Sequence, residues 1–297
     1  MSERLGLTRR VRSVLGGAYR PIRQETLNLQ RKVSRAWRQV STPIRPDALR
    51  SALEQVTGGG AEILLVHSSL SSCGRFTNGP DGVLSMFREF CDTLCLPTHT
   101  YCYPSSPDEA GPLFDARVTP SQNGLLTEVF RTQPGVVRST HATHSLAVSG
   151  PIAKEVCADH YRQDCPCGAR TPYSRLIQRG ASVLMFGVTF HYYTFFHTAE
   201  FESGSEYAYE HGTMDRLRVV DERGEIFDCR SRRQYRGPMR FAEAGDLLER
   251  IGLAHRVKLG RSALLFVPDS SKVHEFLVQR LRNTPDFLRQ SCMTELQ

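Results

Sequence analysis

Long apolar runs are what this 297-residue chain most plainly lacks. Its longest, at 63–66 and 183–188, fall far short of the ~20 residues that span a bilayer, which excludes a transmembrane helix. No continuous apolar stretch or small-residue cleavage site follows the basic first ten residues, so a standard secretory leader is not expected. Paired cysteines are also missing. The nine present (Cys73, Cys91, Cys95, Cys102, Cys157, Cys165, Cys167, Cys229 and Cys292) are odd in number and scattered, unlike the framework of a small secreted domain. Cys165-Pro166-Cys167 leaves one intervening residue and no second pair follows it, so a zinc ribbon is not expected. A reducing, cytoplasmic compartment is expected. Neither a Walker loop nor a Gly-x-Gly-x-x-Gly dinucleotide turn occurs.

What is present has a globular balance, with 40% hydrophobic and 23% charged residues. The charge is uneven. Residues 1–45 carry eleven Lys or Arg against Glu3 and Glu25, a net +9, so the rest of the chain is −2 within the total of +7. The basic character therefore belongs to the extension, and nucleic-acid binding by the body is not indicated. Residues 1–45 are expected to form a basic arm, helical or mobile, interrupted near Gly16-Gly17 and Pro21. Apolar residues among its arginines allow either a solvated arm or a weak membrane-surface contact.

Residues 46–297 are expected to fold as one domain, because no Pro/Ser/Gly linker divides them. Helices are expected near 47–55, 83–91, 125–131, 152–160, 239–251 and 272–282. Strands are expected near 62–67, 93–96, 146–148, 183–188, 217–221, 254–258 and 262–267. Helix and strand alternate, which is an α/β architecture.

Polar residues collect in three segments beside apolar strands, where open α/β sheets place their ligands. The first, His67-Ser68-Ser69-Leu70 running on to Gly74 and Gly79-Pro80-Asp81-Gly82, offers hydroxyls and backbone N–H groups to a phosphate or an amide, or simply caps a helix. The second, Arg138-Ser139-Thr140-His141-Ala142-Thr143-His144-Ser145, holds two histidines but no obvious third metal ligand. In the third, 187–200, a helix opening at Thr194 would set His197 and Glu200 on one face. His197 then becomes a candidate general base, able to take the proton of an ammonium group, with Glu200 orienting its ring.

Taken in order, these motifs resemble the aminoglycoside 3-N-acetyltransferase family. The resemblance covers roughly 46–268 and includes His67-Ser68-Ser69-Leu70, Leu96-Pro97-Thr98, Phe114-Asp115 and Gly124-Leu125-Leu126-Thr127-Glu128. It continues through Arg138-Ser139-Thr140-His141 with Ser145, Thr171-Pro172-Tyr173-Ser174, Gly187-Val188 and His197-Thr198-Ala199-Glu200. The resemblance implies a three-layer α/β/α sandwich, distinct from the GNAT acetyltransferases, whose Arg/Gln-x-x-Gly-x-Gly/Ala loop is absent. It also implies transfer of acetyl from acetyl-CoA to a small-molecule amine.

His197, Glu200 and Thr194 would be catalytic, with Thr194 or nearby amides facing the oxyanion. His67, Ser68, Ser69, Leu70, Ser145, Thr171 and Ser174 would contact the cofactor. Asp115, Glu128, His141 and His191 would contact the substrate, and no metal is required. His191 stands where antibiotic-modifying members often carry Asp, which removes one attraction for a polycationic aminoglycoside and makes another amino sugar an equal candidate. Two other classes fit the residues: a metal-dependent hydrolase built on His141, His144 and His197, and a non-catalytic CoA-binding protein. Deleting residues 1–40 should abolish binding to anionic liposomes if the arm docks on membranes; unchanged binding removes that role.

Overall fold

Strands buried on both faces read as unbroken apolar runs, because each pleat then meets a helical layer. Strand β1 (Ala61–Ser68) is such a run, and in the computed structural model it lies inside a seven-stranded sheet of order β4-β5-β2-β1-β6-β10-β9. The model describes residues 43–100, 102–106, 109–235, 237–260 and 262–289, so the basic arm lies outside the described residues except for 43–45. From Ile44 onward the chain forms one compact unit. The other strands of the large sheet are β2 (Cys91–Pro97), β4 (Val137–Arg138), β5 (Leu146–Ser149), β6 (Ser182–Phe186), β9 (His255–Leu259) and β10 (Ser262–Val267). β1 pairs in parallel with β2 and β6, and the outer pairings are antiparallel.

The two-residue period of β1 divides its side chains between two cores. Leu64 and Val66 join Leu94, Leu184 and Phe186 on one face, covered by α1 (Pro46–Thr57), α3 (Gly79–Arg88) and α4 (Leu125–Arg131). Ile63 and Leu65 join Cys95, Val183 and Met185 on the other, beneath α5 (Ala153–Cys157), α6 (Pro172–Gln178), α7 (Phe195–Ser203), α8 (Phe241–Arg250) and α9 (Ser270–Asn283). The result is the expected α/β/α sandwich. A short helix, α2 (Leu70–Cys73), follows β1. A separate three-stranded sheet, β3 (Ala110–Asp115), β7 (Tyr209–Val220) and β8 (Ile226–Gln234), closes over its own small core of Phe114, Tyr161, Leu217 and Val219.

Several boundaries differ from the sequence reading for identifiable reasons. The strand expected over 183–188 stops at Phe186, because Gly187 turns the chain at a φ of +70°. The helix expected to 160 stops at Cys157, and Asp159 at a φ of +55° starts a separate 3-10 turn at His160–Arg162. β8 escapes pattern recognition because its buried positions are Cys229, Ser231 and Gln234 while its apolar Ile226 and Phe227 are exposed, so no apolar period marks it. All eight described cysteines are free thiols, and no described helix is long and apolar enough to cross a membrane.

Gly187 has a packing role as well as a conformational one: a Cβ there would sit 2.5 Å from Cys73 Sγ and 2.6 Å from the Ser69 carbonyl oxygen. Gly187→Ala should therefore destabilise the fold by about 2–4 kcal/mol through left-handed strain and overpacking. The midpoint of urea unfolding measures this, and an unchanged midpoint would contradict it.

Candidate active site

Because β2, β1 and β6 run in parallel, their carboxyl ends open on one edge of the sheet. β1 delivers His67, Ser68 and Ser69 there, β2 leads into Thr98 and His99, and β6 leads through Gly187 and the 3-10 turn Phe190–Tyr192 into α7. The Ser69 N–H donates to the Phe186 carbonyl at 2.8 Å, tying the ends of β1 and β6 together. The hydroxyls of Ser69 and Ser72 are bonded at 2.7 Å, and Ser68, Ser69 and Leu70 are all half-buried.

Helix α7 begins after Thr194, and Gly204 ends it in the left-handed region at a φ of +75°. Within it, His197 and Glu200 lie three residues apart and meet: Nδ1 and Oε2 are 2.8 Å apart. The Glu200 side chain is 1% exposed and that of His197 is 23% exposed. A buried carboxylate thus holds one face of a ring whose Nε2 makes no hydrogen bond among the described residues. Phe241 packs edge-on against the ring at 5.3 Å and also stacks on Phe196 at 4.7 Å, which fixes the imidazole from the side. The Thr194 hydroxyl likewise makes no hydrogen bond among the described residues.

Behind this edge lies a set of buried imidazoles. His99 is bonded to the Tyr173 hydroxyl at 2.9 Å and stacks on His144 at 4.6 Å. His144 Nδ1 meets the Thr143 hydroxyl at 2.8 Å. His141 Nδ1 accepts from the backbone N–H groups of Thr143 and His144, both at 3.2 Å. His160 bridges the Ser139 hydroxyl and the Pro166 carbonyl, each at 2.9 Å. Burial, as the main cause, pushes His67, His99 and His160 down to about 3, and His141 and His144 well below the usual imidazole value. His99 and His144 also feel the charge of His197, which places all three in one neighbourhood.

The structure sorts the residues expected from sequence. His67, Ser68 and Ser69 share the edge that leads to His197, and His67 Nε2 is buried without a hydrogen-bond partner among the described residues. Ser145, Thr171 and Ser174 are interior, with their hydroxyls occupied. That of Ser145 donates to the Thr98 carbonyl at 2.6 Å and accepts from Arg138 at 3.1 Å. Thr171 caps α6, accepting from the Ser174 N–H at 3.4 Å while donating to the Gly168 carbonyl at 2.7 Å. The Ser174 hydroxyl donates back to the Thr171 carbonyl at 3.0 Å. These three side chains are buried, with their hydroxyls bonded within the protein.

Asp115 is engaged by Arg117, and Glu128 by Arg131 and the Ser121 N–H, and these partners hold both carboxyls below the usual range. His141 is buried, whereas His191 is exposed and lies 6.4 Å from Phe241, the ring that also packs on His197. Among the described residues no group of three or more His, Cys, Asp or Glu side chains is arranged to hold a metal, and His141 and His144 turn their Nδ1 atoms to Thr143. The sequence reading passed over His99 and Phe241. His99 could have been found by the rule that flagged His67, since it too follows the carboxyl end of an apolar strand. Phe241 carries no local signal.

The fold is that of aminoglycoside acetyltransferases of known structure. AAC-IIIb in its binary complex with CoASH superposes with a TM-score of 0.68 at 21% identity, covering 82% of this chain and 97% of that one. A mutant of AAC(3)-IVa in complex with gentamicin gives 0.70 at 23% identity, covering 84% and 93%. In sequence, the model of the family described as aminoglycoside 3-N-acetyltransferase matches residues 65–282, and the chain belongs to that family. Aminoglycoside N(3)-acetyltransferase VIII of Streptomyces fradiae is 29% identical over 175 residues, 53% of this chain, and the match spans only 61% of that relative's length.

The buried imidazoles make stability depend on acid. Each is neutral when folded and titrates near pH 6.5 when unfolded, so below about pH 6.5 the unfolded chain binds more protons. Their contribution is complete above that value and is lost progressively as pH falls towards about 3, where His67, His99 and His160 titrate in the folded protein. Thermal melts should be nearly flat from pH 8 to 7 and fall by roughly 10 °C or more by pH 5. A flat profile to pH 5 would contradict the neutral assignment.

Proposed function

We propose that the chain is an acetyl-CoA-dependent N-acetyltransferase that acts on an amino group of an aminoglycoside or related amino sugar, by direct transfer with His197 as general base. The observation that carries this reading is the 2.8 Å bond from His197 Nδ1 to the buried Glu200 carboxylate, with Nε2 left open. Glu200 keeps the Nδ1 proton in place and aims Nε2 outward, and it stabilises the imidazolium formed once Nε2 has taken the ammonium proton. The freed amine nitrogen then attacks the thioester carbonyl carbon. A C–N bond forms and the C–S bond breaks, the nitrogen sheds its second proton as the amide forms, and coenzyme A leaves as its thiol after taking up one proton, so that the reaction releases one proton overall.

The donor set at the strand edge suits this co-substrate. The unpartnered His67 Nε2, the hydroxyls of Ser68 and Ser69, and the adjoining backbone amides offer hydrogen bonds to a thioester and its pantetheine amides. The Thr194 hydroxyl, at the start of α7, would donate to the developing oxyanion. Ser145, Thr171 and Ser174 hold the surrounding loops. His191 and Phe241 border the acceptor side. Asp115 and Glu128 are each neutralised by an arginine, so they add little attraction for a polycation, and an amino sugar of low charge is served as well as an aminoglycoside.

Release of free thiol from acetyl-CoA, measured against aminoglycosides, amino sugars and nucleotide-linked amino sugars, tests the reading. Turnover should persist in EDTA, and His197→Ala should lower it by about 10²–10⁴-fold. Glu200→Gln should cost roughly 10–100-fold, the loss of one charged hydrogen bond in the transition state. Equal rates for wild type and His197→Ala would overturn the assignment.

A further inference from the structure

Glu200 has two carboxylate oxygens, and His197 uses one. The other, Oε1, is shut off from solvent and has no hydrogen-bond partner among the described residues. An ionised carboxylate oxygen left in that state is costly, so its surroundings should contain a donor. Among the buried oxygens in the same condition is the Tyr207 phenol Oη. The chain brings the two together. Gly204 reverses direction at the end of α7, and the Ser205 N–H and Ser203 hydroxyl donate to the Glu200 carbonyl at 3.0 and 3.1 Å. The 3-10 turn Glu206–Ala208 therefore returns against the turn of helix that carries Glu200. Burial is the first cause raising the Tyr207 phenol, followed by the charge of Glu200 and the approach of its carboxylate. No hydrogen bond joins the two atoms, and each is buried without a partner among the described residues.

We infer that Tyr207 is a positioning residue, whose phenol donates to Glu200 Oε1 and so sets how strongly Oε2 holds the His197 ring. The inference rests on the reading of His197 as the base. The other polar and charged groups around the phenol are consistent with a donor role. The Ser205 hydroxyl, 2.8 Å from that of Ser203, also lies beside the phenol and acts on it in the opposite sense to Glu200, the Asp286 carboxylate disfavours ionisation of the phenol, and the Arg289 guanidinium lies over the ring at 5.9 Å. The Tyr209 hydroxyl, which also feels the charge of Glu200, is 3.0 Å from Cys165 Sγ, and burial keeps the Cys165 and Cys167 thiols protonated. Tyr207 thus has a hydroxyl to spare. With the phenol in place, the charge on Glu200 is shared between two donors. Without it, that charge falls on His197 alone, which raises the basicity of the imidazole and loosens the carboxylate that aims it.

The test compares wild type with Tyr207→Phe, which keeps the ring and removes the donor. In the free protein, the Nδ1–H proton resonance of His197 should move downfield. In turnover with acetyl-CoA, kcat should fall roughly tenfold with KM for acetyl-CoA unchanged, and the acid limb of the kcat/KM profile should move to higher pH. A purely structural role would lower thermal stability and leave both the resonance and the acid limb where they were; that result overturns the inference. Should Tyr207→Phe fail to fold, 3-fluorotyrosine at position 207, a stronger donor, must move the same resonance upfield, and no movement overturns the inference equally. A fully active His197→Ala would instead overturn the base assignment, while leaving the resonance shift to decide on Tyr207.

Discussion

Strands β2, β1 and β6 run in parallel with helices packed on both faces, and the working edge depends on that arrangement. Parallel strands discharge their chains at a common edge, so residues distant in sequence, His67, His99 and His197, converge without a dedicated scaffold. The same double burial requires β1, β2 and β6 to be apolar almost throughout. Polar residues are confined to the strand ends, and that confinement marks the edge as chemical. Gly187 sharpens the corner by letting β6 turn directly against Ser69 and Cys73, from where the chain reaches α7 in a single 3-10 turn.

A buried carboxylate is tolerated only when its charge is shared. Glu200 sits in an α7 flanked by Phe195, Phe196 and Ala199, in a core where an unpaired charge would be expensive. Its bond to His197 answers part of that cost, and the apposed Tyr207 phenol is suited to answer the rest. The arrangement orients the imidazole, one of the properties that the proposed base acting on an ammonium group requires. Arg138 shows the same logic for a cation. Buried without a carboxylate directly on it, it donates to the Thr98, Ala116 and Thr119 carbonyls and the Thr98 and Ser145 hydroxyls, and stacks over Phe114. Burial lowers its guanidinium to about 10. It joins the strand edge at Thr98 to the β3 side of the molecule, where Asp115 and Glu128 lie.

The residues proposed for the acceptor side carry little unpaired negative charge. The two candidate carboxylates are each matched by an arginine, and an exposed imidazole, His191, borders the ring of Phe241. Electrostatic attraction for a polycation is correspondingly reduced, while the His197–Glu200 pair, fully formed in the structure, does not depend on the acceptor's total charge.

Local pattern alone determined a good deal. The apolar runs at 63–66 and 183–188 identified the central strands, the alternation of elements identified an α/β protein, and the three-residue spacing of His197 and Glu200 identified the pair, because helical geometry is local. Ordered motifs named the family. Only the tertiary structure decided which hydroxyls are outward and which are interior. Ser68 and Ser145 look alike in sequence, but one ends a parallel strand at the open edge while the other is consumed by Thr98 and Arg138, and burial is a property of packing. It also decided that His141 and His144 face Thr143, that His99 stacks on His144, and that Phe241 closes on His197 from a helix more than forty residues away. The return of the chain at 205–208 towards Glu200 follows from the reversal at Gly204, and what that turn packs against is decided in three dimensions.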